Sequence, residues 1–144
     1  MKFQFRFDSL LSVRKHEQAK QRMEYAKALR VLYNFQQEKS QIENVLGEYN
    51  ESFHINIPSG RYGMVQHYNF IQQSHQKIWE LDKAIRRAEE DAERERLRLV
   101  EANKKMKMLE ILENKERKNF IIAMERLEQK EMNEVATQLY NRRN

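Results

Sequence analysis

Phe53-His54-Ile55-Asn56-Ile57-Pro58-Ser59-Gly60-Arg61-Tyr62-Gly63 is where the chain can change direction. It holds the sole proline of the 144 residues and two of the three glycines. Asn56 to Gly60 has turn chemistry, because Asn, Pro, Ser and Gly each lower the cost of leaving regular structure. Pro58 fixes its own φ and pushes Ile57 away from helix. The third glycine, Gly47, lies before this break inside a helical pattern. It costs about 1 kcal/mol there relative to alanine, too little to end a packed helix.

Upstream of the break, Ala28, Leu32, Phe35, Lys39, Ile42, Leu46, Tyr49 and Phe53 recur at alternating steps of four and three. That is a heptad stripe with one charged interruption, Lys39. Downstream, every seventh residue from Ile71 reads Ile71, Ile78, Ile85, Ala92, Leu99, Met106, Glu113, Phe120, Leu127. A second column reads Ser74, Leu81, Ala88, Glu95, Ala102, Leu109, Glu116, Ala123. A strict seven-residue repeat implies a left-handed supercoil. The alanines let a partner helix approach closely, whereas Glu95, Glu113 and Glu116 weaken the seam.

The pattern predicts an all-α protein: a long antiparallel two-helix coiled-coil hairpin with a longer second helix. The expected organisation is a single coiled-coil domain over residues 1–144. Helix one runs from about 8 to 53, the turn from about 54 to 62 and helix two from about 63 to 141. Asp8 or Ser9 is the expected N-cap. A reversal near Ile57 places Asp8 opposite about Met106 and leaves about 35 residues of helix two without a partner of equal length. That overhang keeps Leu109, Leu112, Phe120, Ile121, Met124, Leu127, Met132, Val135, Leu139 and Tyr140. An isolated helix does not keep such a stripe unless residues 1–7, a second copy or another protein covers it. Phe3, Phe5 and Phe7 alternate with polar residues and, lacking a second strand, are expected to wrap onto a helix.

Composition agrees. Charged residues make up 34% of the chain and hydrophobic ones 40%, with a mean hydropathy of -0.98. So few glycines and prolines exclude a fold with many turns, and the aromatic content argues against disorder. There is no cysteine, which excludes disulfides, thiolate metal sites and cysteine nucleophiles. No apolar run is long enough for a membrane span, and the N-terminus lacks a signal peptide's apolar core, so the expected location is cytoplasmic.

The search for chemistry returns binding features only. His16, His54, His67 and His75 have no zinc spacing and are read as surface or packing residues. The carboxylates Glu89, Glu90 and Asp91 belong to a solvated helix face, because a two-helix layer offers no concave site to shift their pKa values. No catalytic, metal or cofactor-binding residue is assigned, and no enzyme, nucleic-acid or small-molecule role is expected. The net charge of +5 comes from interleaved charges. The cluster Lys104, Lys105, Lys107, Lys115, Arg117 and Lys118 shares its stretch with glutamates, and no nucleic-acid module accompanies it. It reads as a solvated face or a docking surface for an acidic protein.

Phe5-Arg6-Phe7-Asp8-Ser9-Leu10-Leu11-Ser12-Val13-Arg14 resembles the opening of FliJ proteins of the flagellar type III export apparatus. Tyr49 at the end of helix one, Ser59-Gly60 in the turn, and Phe70-Ile71 with Ile78 fit the same family in order and spacing. The resemblance implies a stalk that inserts into the ring of the hexameric export ATPase, contacts the linker of the membrane export gate and escorts export chaperones. It also implies a position at the cytoplasmic face of the inner membrane, held there through partners. Carried over by position, the family's gate-binding patch falls on Glu38, Ile42, Val45 and Tyr49 of helix one and on Phe70, Ser74, Lys77 and Leu81 of helix two. Ser74 stands where the family prefers Leu, and Lys77 where a small residue is usual. Ile42, Tyr49 and Ser74 are also seam positions. The overhang is the candidate contact for the ATPase ring, through Lys104, Lys105, Lys107, Phe120, Met124 and Leu127. Two other assignments fit the same residues: the equivalent stalk protein of a virulence type III secretion system, and a structural coiled coil.

The hairpin is tested by distance. Spin labels attached through Ala28→Cys and Ile85→Cys come close within one molecule only if the chain folds back, since packed helices lie about 8–10 Å apart. A straight chain pairing with a second copy separates the two labels of one molecule by about 85 Å.

Overall fold

The structure, a computed structural model, describes residues 1–55 and 60–143. Two helices account for nearly all of them: α1, Asp8–Ile55, and α2, Gly60–Arg143. They pack against each other as an antiparallel hairpin. Both come closer to the break than their sequence signals indicate. The turn residues Asn56 to Ser59, with Pro58, lie outside the described residues. Gly60 opens α2 at φ +87°, a backbone region that side-chain-bearing residues avoid.

The start of α1 corrects the expected cap. The Asp8 amide donates to the Phe5 carbonyl at 3.2 Å, and the Leu11 amide to the Phe7 carbonyl at 2.8 Å. That turn makes Phe7 the residue whose carbonyl accepts the first helical bond. Asp8 therefore enters as the first helical residue, not as the cap, and its carboxylate faces the positive end of the helix dipole.

Contacts cluster into two units, residues 20–100 and residues 1–19 with 101–144. In the first, α1 and α2 meet along the two heptad columns. Leu46, Leu81, Ala88 and Ala92 are buried, and Ala28, Leu32, Phe35, Ile42, Tyr49, Phe53, Ile71, Ser74, Ile78, Ile85, Glu95 and Leu99 are half-buried. Lys39 belongs to the same row. Its Nζ lies 2.6 Å from Asp82 Oδ1 across the seam and 3.7 Å from Glu43 Oε1. The hydrogen bond to Asp82 holds the Lys39 ammonium above the ordinary lysine range. A charged seam position that finds one partner on the facing helix specifies alignment more than it adds stability.

At the turn end of this unit the seam becomes aromatic. The Tyr49 ring lies 4.3 Å from Phe70 and 5.3 Å from His67, centroid to centroid, and His67 stacks on Phe53 at 3.9 Å. A 2.8 Å hydrogen bond joins the Tyr49 hydroxyl to His67 Nδ1. His67 is thus a packing residue, the column Ile71, Ser74 extended backward by four. His16 and His75 are exposed.

In the second unit, residues 1–7 and the first turns of α1 cover α2. Leu11 is 3% exposed and Phe5 7%. Phe3 meets Phe120 at 5.6 Å, so the aromatic N-terminal segment does wrap onto a helix. Asp8 lies beside Glu113, one heptad beyond the expected Met106, and the uncovered part of α2 is correspondingly shorter. The seam glutamates of both units are each paired with arginine: Glu95 with Arg98 at 2.8 Å, Glu113 with Arg117 at 3.2 Å, and Glu116 with Arg6 at 3.5 Å. Arg117 also sits over the Phe3 ring, 4.9 Å from its centroid. Coverage ends at Phe120. Beyond it only Met124 is half-buried, and every other residue through Arg143 is exposed.

The glycines respond oppositely to substitution. A Cβ at Gly47 meets no atom within 4 Å, so Gly47→Ala should stabilise the fold by about 1 kcal/mol. Gly60→Ala should cost about 1–2 kcal/mol, because alanine resists positive φ. Thermal or denaturant melts read both. Tyr49→Phe keeps the rings packed and removes the hydrogen bond to His67; a loss of about 0.5–1.5 kcal/mol is expected with helicity unchanged by circular dichroism.

Candidate interaction surfaces

The eight residues near the turn divide by depth. Leu81 is 4% exposed and belongs to the core. Ile42, Tyr49, Phe70 and Ser74 are half-buried seam residues, with Tyr49 and Phe70 fixed in the aromatic cluster. Glu38, Val45 and Lys77 stand outside. The Glu38 carboxylate and the Lys77 ammonium meet at 3.7 Å from opposite helices. This pair places the flanking positions of α1 and α2 on one side of the hairpin, beside exposed Val45. The side thus presents an ion pair, an apolar side chain and the outer edges of two aromatic rings. Such a composition suits a protein contact, with the rings as anchors.

The second group lies on α2 beyond residue 100. Lys104, Lys105 and Lys107 are exposed, as are Lys115 and Lys118. Arg117 is committed to Glu113 and to the Phe3 ring, so it is not a free member of the basic cluster. Phe120 is half-buried beneath Phe3, and Met124 is half-buried. Leu127 is open to solvent at 53%. Phe3 and Arg6, which sequence reasoning did not assign to this surface, help form it. Their signal was the aromatic alternation at the N-terminus.

Among the described residues, no group of three or more His, Cys, Asp or Glu is placed to hold a metal ion. No described helix is long and apolar enough to cross a membrane. The carboxylates of Glu89, Glu90 and Asp91 are exposed, and Asp91 pairs with Arg94 at 3.3 Å. What the structure offers chemically is therefore helical surface, in one place aromatic and in another basic and apolar.

Comparison with known proteins agrees with this surface-only character. The family model described as "Flagellar FliJ protein" matches residues 2–144. No curated protein and no solved structure is significantly similar to the chain. FliJ proteins are non-enzymatic, cytoplasmic components that associate peripherally with the membrane-embedded flagellar export apparatus. With the match spanning nearly every residue and the helical hairpin in place, the chain belongs to the flagellar FliJ protein family.

Proposed function

We propose that this protein serves flagellar type III export by binding the hexameric export ATPase as a stalk, contacting the linker of the export-gate membrane protein and escorting export chaperones. Family membership supports the general role. The observation that carries the ATPase assignment is the stretch of α2 past Phe120, on which Ile121, Ile122 and Leu127 are uncovered. Exposed apolar side chains of this size are expected to meet a partner. The lysines Lys104, Lys105 and Lys107 on the same helix suit acidic loops around a ring. Charge sets encounter rate and orientation, whereas the apolar contacts hold the complex.

For the gate, direct contact is assigned to Glu38, Val45 and Lys77 and to the outward edges of Tyr49 and Phe70. Ile42, Ser74 and Leu81 support that side from the seam. Membrane association follows from the partners alone.

The test is ATP hydrolysis by the purified hexameric ATPase with full-length chain, with a chain lacking residues 121–144, and with Lys104, Lys105 and Lys107 all changed to Glu. Stimulation should be lost on truncation and fall by about tenfold or more in the charge-reversed chain at low salt. Both should still bind the gate linker, which Val45→Glu should weaken without changing helicity. Equal ATPase stimulation by full-length and truncated chains moves the contact elsewhere.

A further inference from the structure

The last part of α2 carries a row of glutamates. Farther up the same helix, Glu93, Glu95 and Glu113 each pair with an arginine three or four residues on, Glu93 with Arg96 at 2.6 Å. Glu125, Glu128, Glu131 and Glu134 follow one another at steps of three, and among the described residues none of the four forms an ion pair. Like charges three residues apart are neighbours on a helix and destabilise it. Glu134 has Lys130 four residues before it, but Glu125, Glu128 and Glu131 have no cation three or four residues away. Arg126 and Lys130 each point about 160° around the helix from Glu128.

This carboxylate row crosses an apolar face. Glu128, Glu131, Met132, Val135, Ala136 and Leu139 line a shallow groove of about 520 Å³. Met132 is 69% exposed, Val135 55% and Leu139 56%. Unpaired carboxylates with apolar side chains between them define the complementary ligand. It must supply cations at helical spacing together with an apolar stripe.

We propose that the Glu125–Leu139 face of α2 is a docking site for a basic amphipathic helix of a partner protein. The lysines or arginines of that helix pair with Glu128 and Glu131 while its apolar side chains cover Met132, Val135 and Leu139. This is the helix-on-helix mode of peptide recognition, with charge selecting the partner. It relieves the glutamate row and buries the exposed stripe at once. Apart from Glu125 the site lies beyond Leu127, and its assignment does not depend on which protein takes Lys104 to Leu127.

The test uses full-length chain and a fluorescent synthetic helical peptide with leucines at i, i+3, i+4 and i+7 flanked by lysines. Two controls accompany it: the same residues scrambled to abolish the apolar face, and glutamate in place of every lysine. The lysine peptide should bind at least about tenfold more tightly than either control. In chain carrying Glu128→Lys and Glu131→Lys the preference should invert toward the glutamate peptide. Val135→Ser with Leu139→Ser should abolish binding of both, with helicity unchanged. Absence of binding, equal binding of the scrambled peptide, or an unaltered preference after charge reversal overturns the proposal. So does a concentration-dependent dimer in sedimentation that Val135→Ser with Leu139→Ser dissolves, since the face then belongs to a second copy.

Discussion

The seam between α1 and α2 is where this chain withdraws its side chains from water, and the rest of the structure follows from how narrow that seam is. Within each unit the helices meet along one line of contact, and among the described residues no further layer packs behind it. Leu11, Leu46, Leu81, Ala88, Ala92 and Ala102 are buried there, and each large member contributes about 1.5–3 kcal/mol. A seam so thin leaves little margin for unpaired charge. Lys39, Glu95, Glu113 and Glu116 all occupy seam positions, and each has an oppositely charged partner within reach. The partners lie on the facing helix, on the same helix, or in the N-terminal segment. Where the partner lies on the facing helix, as Asp82 does for Lys39, charge at the seam becomes alignment information.

The same narrowness explains why function falls on surface. Neither helix can enclose a pocket that excludes water and shifts pKa values, so the chain has binding faces to offer. Those faces arise where the seam runs out. At the turn end, Tyr49, Phe53, His67 and Phe70 close it with rings whose outer edges are accessible from the side marked by Glu38, Val45 and Lys77. At the other end residues 1–7 fold over α2 as far as Phe120, and the apolar pattern continues uncovered.

Residues 1–7 limit the uncovered face as well as stabilising the hairpin. Phe3 and Phe5 take the place that further turns of α1 would occupy, and Arg6 and Arg117 bring cations to the two seam glutamates. Past Phe120 residues 1–7 supply no cation, and Glu125, Glu128, Glu131 and Glu134 form no ion pair with a described residue.

Periodicity determined the helices and nearly every seam residue, and the turn chemistry between them pointed to antiparallel pairing. A heptad is a local property of the chain, and the burial it predicts requires nothing beyond a facing helix. The two downstream columns match the buried and half-buried residues from Ile71 to Phe120. Motif order brought the family within reach, and the aromatic alternation foretold that the N-terminus would wrap. Tertiary structure decided what depends on pairing between distant residues. Alignment of the first turn of α1 placed Asp8 beside Glu113, not Met106, and within residues 20–100 Lys39 with Asp82 and Tyr49 with His67 and Phe70 fix which turns meet. Depth within the turn-proximal group was equally hidden. Four-three spacing brings Leu81 and Lys77 to one side of a helix, and only packing against α1 buries the first while leaving the second in water beside Glu38.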